Sequence, residues 1–525
     1  MLQTYFFDSA ASEPDSHALL VNERLYSYGE IEMRARRVSA GLATVARSID
    51  ANRCLLFAHR SVAAYVGILG ILDAGMAYVP LSPNVPAARH AAIIEQSRAP
   101  LMLVDRKCAA LLDEVLALLE ERPQIFLLDE EADGSPLPAM SAEWHLLPAA
   151  PYTQHGGSLH DAAYVLFTSG STGAPKGVSI SHANAEAYVS GQLQMGDKVR
   201  DARYIQFCEL SFDPSVHEMF VCWANGGCLC VPATVDPLYN ADFIKRHAIT
   251  HWNSVSSVAG LLQQMRKLTP GAFPSLRVST FGGEPLSRSL AQAWMNAAPN
   301  SRLLHMYGPT EATIACTCFE VDAAFLGDEQ QTAVPLGSAL PGVELMIVDD
   351  ELEPVAIGLT GELLIAGPQL ASGYLSRDEP GNSRFIAKTF PGRHAQRWYR
   401  TRDAVSMSEQ YGIVFQGRFD TQVKIHGNRV ELEAVEHVVQ ACSEAALCAV
   451  VPWPVDEAGR SLGLVAFVTN ARVETGLILR ACRQRLPACA VPQRIIVVGA
   501  FPLNAHGKID RKALAGLCAR GLVAA

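Results

Sequence analysis

With 525 residues, 49% hydrophobic and 18% charged, the chain has the balance of a folded protein and the length for a large and a small domain. Its 43 basic and 53 acidic side chains leave a net charge of −10, and no run of Lys or Arg could track a phosphate backbone, which argues against a nucleic-acid partner. The N-terminal MLQTYFFDSAASEPD lacks a basic region followed by a long apolar stretch, so no signal peptide is expected, and 13 cysteines without a CxxC pair fit reduced thiols in a cytoplasm.

Along the chain, IEMRARRVSAGLATV (31–45) carries a helical apolar period. The most apolar segment, Ala63 to Leu81, contains Asp73 and several glycines and reads as buried core, not as a membrane span. AAYVLFT (162–168), GCLCVP (227–232), LRVSTF (276–281) and GELLIAG (361–367) read as strands. Strands alternating with helices predict α/β layers. The CxC pairs Cys228/Cys230 and Cys316/Cys318 read as apolar side chains on one strand face, not as metal ligands. Gly/Pro-punctuated loops cluster at 151–177 and 305–311. GRFDTQVKIHG (417–427) reads as a hairpin opening a second unit. The expected division is a large multi-layer α/β domain, 1–416, and a small mobile α+β domain, 417–525.

TSGSTGAPKG, Thr168 to Gly177, follows an apolar strand. Its backbone N–H groups and hydroxyls suit phosphate oxygens, and Lys176 adds a positive charge. A Walker loop from Gly170 would need Gly at 175 and Ser or Thr at 177, where Pro175 and Gly177 stand, so that reading fails.

This loop closely resembles the signature of the acyl-adenylate-forming superfamily, which includes acyl-CoA synthetases, luciferases and nonribosomal peptide synthetase adenylation domains. LDAGMAYVPLSP (72–83), FDPSVHE (212–218), MYGPTEA (306–312), GELLIAGPQLASGYL (361–375), YRTRD (399–403), GRFDTQVKIHGNRVELE (417–433) and PLNAHGKIDRKAL (502–514) resemble further family motifs, in the family's order. The resemblance implies ATP and Mg²⁺ as cofactors. Thr168, Ser169, Gly170, Ser171, Thr172, Gly173 and Lys176 would surround the phosphates. Tyr307 would stack on adenine, Thr310 would touch the α-phosphate, and Glu311 would help hold Mg²⁺. Asp403 would accept the ribose hydroxyls with Arg418 nearby. The family usually has Gly before that Asp; here Arg402 stands there, which puts the local turn in doubt because a side chain with a Cβ disfavours positive φ. Lys508 would bridge acyl carboxylate and phosphate, and Asp420 would be the hinge about which the small domain turns.

FDPSVHE and GKIDRK resemble peptide-synthetase adenylation domains more than other members. There, an Asp at the place of Asp213 pairs with the substrate's α-ammonium; alone, Asp213 would read as an N-cap. The other pocket positions matched by motif are Pro214, His217, Asn253, Thr280, Gly282, Met306, Ile314 and Ala315. Asn253, Gly282 and Met306 resemble threonine-activating domains, from which Pro214 and His217 depart. The expected function is a stand-alone adenylation enzyme in natural-product assembly. It would form an aminoacyl-AMP and load the phosphopantetheine thiol of a separate carrier protein. An acyl-CoA ligase, a D-alanine or glycine ligase serving the cell envelope, and a non-catalytic binding protein on this fold are the alternatives.

Overall fold

The computed structural model describes the chain apart from residues 129–142, 154–156, 171–173, 197, 198, 200, 235, 444, 446, 457, 458, 470–472, 504–508 and 520–525. Two large sheets organise it. One has six strands, in the order Gln124–Leu128, Leu101–Asp105, Arg53–Phe57, Ala77–Leu81, Ala162–Ser169, Pro175–Ser181. All its neighbours run parallel except the last pair, a hairpin that closes around the hydroxyl-rich loop. The other sheet has nine strands, and its centre carries His251–Ser254, Val278–Gly282 and Arg302–Tyr307 side by side and parallel.

One core joins residues of both sheets, such as Tyr164, Leu56, Leu229 and Met306, to the helices Tyr28–Ile49 and Val62–Asp73. Every residue of Val62–Asp73 is buried, and strand Ala77–Leu81 is buried throughout, as the apolar segment predicts. Burying a Leu or Ile side chain contributes roughly 1.5–3 kcal/mol, so this helix anchors the domain. Helix Tyr28–Ile49 starts at a capping box in which Ser27 and Glu30 satisfy each other's backbone N–H. No helix among the described residues is long and apolar enough to cross a membrane.

An antiparallel sheet follows, in which Gln396–Ser408 pairs with Thr360–Ala366, Phe385–Lys388 and Gly412–Arg418. The small domain then has its own core around Val435, Val450, Ala466 and Ile478, built on Cys448–Pro452, Leu464–Thr469, Arg494–Val498 and two helices. The expected hairpin is displaced along the chain. Gly417 and Arg418 end a strand of the large domain's sheet, and the hairpin arms are Gln422–Ile425 and Asn428–Glu431. Cys228 and Cys230 are buried on strand Cys228–Val231, as the CxC reading expects, and all 13 cysteines are free thiols.

Candidate functional site

The site lies at the carboxyl ends of the parallel strands. The strand hairpin Ala162–Ser169/Pro175–Ser181 pairs Thr168 with Lys176 and closes through Gly170 N–H on the Ala174 carbonyl at 3.1 Å. Ser171, Thr172 and Gly173 lie outside the described residues. The Thr168 hydroxyl is buried with no hydrogen-bond partner among the described residues. Buried hydroxyls without partners are costly, so this one suits an incoming oxygen acceptor. The Lys176 ammonium is buried, 5.2 Å from the centre of the Tyr374 ring. Burial and then the nearby Arg429 charge lower its pKa.

Strand Arg302–Tyr307 runs into the turn that carries Thr310 and Glu311. Gly308 is required there, since a Cβ would lie 2.5 Å from the Ala315 Cα. The Tyr307 hydroxyl donates to Asp403, and Arg418 donates to the other Asp403 oxygen. Arg418 also donates to both Asp420 oxygens, at 2.7 and 2.8 Å. Asp420 accepts from Arg384 at 3.3 Å as well, and although burial opposes ionisation, these guanidinium groups hold its carboxyl below the usual range. Arg402 has φ 64°, so the left-handed corner is present despite its Cβ. Its N–H donates to Glu362 at 3.1 Å, which helps hold the corner that aims Asp403.

Glu311 is fully buried. It accepts from the Tyr374 hydroxyl at 2.5 Å and from Arg429 at 3.0 and 3.1 Å. Burial would raise its pKa, but the Arg429 charge and the Tyr374 hydrogen bond outweigh it and pull it down to about 2. An ionised, enclosed carboxylate that already holds a positive group fits the proposed hard-cation ligand.

The substrate positions gather beside this turn. Asp213 stands before the short helix Pro214–Val216 but makes no cap hydrogen bond, so the capping reading does not hold. Burial pushes its carboxyl up to about 6, and the Thr310 hydroxyl and Lys424 charge pull the other way. Asn253 pairs with Thr280 across adjacent strands, and Gly282 pairs with Met306. Because strand side chains alternate faces, Thr280 and Gly282 share one face. Ile314, with φ 73°, and buried Ala315 follow the same turn. His217 Nδ1 lies 2.8 Å from the Tyr188 hydroxyl, and burial lowers the imidazole to about 4, leaving it neutral. His217, Asn253 and Thr280 line a cavity of about 20 Å³, with Glu218 and Gln192 at its wall. Asn253 donates to Glu218 at 3.0 Å, and burial pushes Glu218 up to about 8. Two thiols lie in the neighbourhood. The Cys316 S–H donates to the Tyr307 carbonyl at 3.3 Å, and Cys208 N–H donates to Glu218 at 3.1 Å. Burial raises both thiol pKa values.

The small domain's hairpin is docked on this site. Its turn places Gly427 N–H 2.6 Å from Glu284 Oε1, and a Cβ on Gly427, which has φ 77°, would come 2.4 Å from Val255 Cγ1. The Arg429 carbonyl accepts from the Ser169 hydroxyl at 2.7 Å. Lys424, whose pKa burial lowers, interacts with the charges of Asp403 and Asp213. Lys508 lies outside the described residues. Arg429, Lys424, Glu284, Tyr374 and Tyr188 join the site without a signal of their own in the sequence, except that Arg429, Lys424 and Tyr374 are polar residues inside the segments 417–433 and 361–375.

The model of the AMP-binding enzyme family matches residues 6–375, and that of the AMP-binding enzyme C-terminal domain matches 434–508. A hybrid PKS-NRPS synthetase of Pyricularia oryzae is 32% identical over 97% of this chain, which spans 28% of that protein's length. A D-alanine–D-alanyl carrier protein ligase of Bacillus licheniformis is 29% identical, over 96% of this chain and 97% of its own. The crystal structure of the Vibrio cholerae adenylation domain AlmE with glycyl-adenosine-5'-phosphate superposes with a TM-score of 0.85 at 31% identity, covering 99% of this chain and 98% of that one. A large amino-terminal domain, a small carboxyl-terminal one and a family match over most of the length leave one assignment: the chain belongs to the AMP-binding enzyme family.

Proposed function

We propose that this protein is an ATP-dependent, AMP-forming ligase that activates a small amino acid and transfers it to the phosphopantetheine thiol of a separate carrier protein. The observation that carries the reading is the meeting of three groups around Thr310 and Glu311: ionised Glu311 with the Lys176 charge beside it, Asp213 hydrogen-bonded to Thr310, and, opposite Lys176 on the hairpin, a Thr168 hydroxyl without a partner among the described residues.

The amino-acid carboxylate attacks the α-phosphorus of ATP in line, and pyrophosphate leaves. Lys176, Ser169, Gly170 and Thr168 hold phosphate oxygens, with Ser171, Thr172 and Gly173 completing the loop. Tyr307 faces adenine, and Asp403 with Arg418 takes the ribose. Thr310 touches the α-phosphate, and Lys508 neutralises charge as it develops. Catalysis is then mainly positioning and charge neutralisation. Glu311 would hold Mg²⁺, which when bound supplies charge neutralisation on the phosphates. Asp213 pairs with the α-ammonium, while Pro214, His217, Asn253, Thr280, Gly282, Met306, Ile314 and Ala315 bound the side chain. In the second step the carrier thiol attacks the acyl carbon and AMP leaves.

The polar side chains of His217, Asn253 and Thr280, which face one cavity, support a small polar substrate side chain, threonine-like. A glycine or D-alanine ligase of the cell envelope is the second reading, favoured by the likeness to the AlmE domain. We divide the chain into 1–416 and 417–525 with Asp420 as hinge; the large domain's last strand runs two residues past that division, and the change of sheet after Arg418 falls beside the hinge. The free thiols support a cytoplasmic setting. ATP–pyrophosphate exchange across all amino acids tests the reading; no exchange with any α-amino acid would overturn it.

A further inference from the structure

At the carboxyl edge of the six-stranded sheet, away from the hydroxyl loop, three side chains of different chemistry converge. His59 follows strand Arg53–Phe57, and Asp105 ends the adjacent parallel strand Leu101–Asp105. Cys108 stands just before helix Ala109–Leu116. The Cys108 sulfur lies 3.2 Å from His59 Nδ1, and Asp105 Oδ2 lies 3.5 Å from the same nitrogen. All three donor atoms fall within 4.8 Å of one another, and among the described residues this is the one group of three so placed. A tetrahedral zinc ion with bonds of about 2.0–2.3 Å sets its ligands roughly 3.3–3.6 Å apart.

Both neighbours face the same ring nitrogen, which makes one in-plane contact at a time, whereas a cation between the three groups would engage all three donor atoms at once. The Asp105 oxygens each already accept one backbone N–H, from His59 and from Cys108, both at 2.7 Å. That fixes the carboxylate, as supporting hydrogen bonds do for metal ligands, and leaves a lone pair on each oxygen. Asp105 and Cys108 are buried, while the His59 side chain is 39% exposed, which gives an entry path.

We propose that His59, Asp105 and Cys108 bind one zinc ion, with Cys108 as thiolate and its proton released to solvent. The ion would be structural in effect. Arg60, next to His59, donates to the Gln206 and Phe207 carbonyls at 3.0 and 3.1 Å, on the segment leading to Cys208 and Glu218. It would thus brace the loop that backs the substrate cavity.

The test uses untagged full-length protein equilibrated with zinc, desalted and analysed for metal. Wild type is expected to retain about one equivalent, and His59→Gln and Cys108→Ser to lose it at least tenfold while remaining folded by circular dichroism. Asp105 is left intact because it holds two backbone N–H groups. Cobalt loading of wild type should give a near-ultraviolet thiolate charge-transfer band that Cys108→Ser lacks. Wild type holding no more zinc than the two variants, or a cobalt spectrum without that band, overturns the proposal.

Discussion

Arg429 of the small domain's hairpin donates to both carboxylate oxygens of Glu311, 118 residues away, at 3.0 and 3.1 Å. The hairpin is therefore latched to the buried acid proposed to serve the phosphates. Removing one partner of a buried pair costs about 3–5 kcal/mol. Arg429→Ala should apply that cost to the docked arrangement alone, since Arg429 meets Glu311 through the docked hairpin. We expect thiol loading to slow by about 10²-fold or more, with pyrophosphate exchange retained. Single-turnover transfer from presynthesised aminoacyl-AMP measures this, and equal loss in both half-reactions would refute it.

Lys508→Ala should have the reverse pattern. Loss of a preorganised charge at the reacting phosphate is worth about 10²-fold or more in adenylation. Transfer from presynthesised aminoacyl-AMP should persist, because with the hairpin docked the thiol step makes no use of that lysine. Rapid-quench measurement of each half-reaction decides the matter.

Asp420 sits between the last strand of the large domain and the hairpin, gripped by Arg418 and Arg384. Asp420→Pro fixes φ near −65° and removes one side of that grip. One half-reaction should survive and the other fall. If both run at the wild-type rate, the hinge lies at another residue.

Asp213 gives a pH signature. Its carboxyl titrates at about 6, raised chiefly by burial, and only the ionised form pairs with an α-ammonium. Since the pKa is raised, pairing strength is full above about pH 6 and is lost as pH falls through it. The kcat/KM for the amino acid should then drop about tenfold per unit below that point, while the KM for ATP holds steadier. Asp213→Ala should cost roughly 3–5 kcal/mol in kcat/KM and abolish the profile. A des-amino acid activated better than any amino acid, with the Ala variant unimpaired, would exclude this role.

Much of this was legible in sequence because it is local. The strand at 162–168, the helix over 31–45 and the Tyr307–Glu311 turn depend on short-range period and punctuation, and each lies where the residues predict, whereas the second strand, Pro175–Ser181, takes up residues that read as loop. The docking of the hairpin was not, because no local pattern encodes a contact between Arg429 and Glu311 or between Gly427 and Val255. The hairpin itself was misplaced for a related reason: Gly417 resembles a turn glycine but continues a strand at φ 136°. Arg402 shows the opposite case. A rule about Cβ sterics casts doubt on its corner, and the Glu362 carboxylate offsets a strain of roughly 1–2 kcal/mol. Arg402→Gly should accordingly shift stability by no more than about 1 kcal/mol in chemical denaturation.

The buried thiols have a chemical corollary. An aminoacyl-adenylate is a mixed anhydride that would acylate any nearby thiolate, and such an enzyme must avoid labelling itself. Buried Cys316 and half-buried Cys208 lie close to the reacting groups, yet desolvation keeps both as uncharged S–H at neutral pH. Thiolate, not thiol, is the nucleophile. A visiting pantetheine arm of ordinary acidity, free to ionise as it enters, is thereby the better acyl acceptor, and chemoselectivity among sulfurs follows from where the protein withholds solvent.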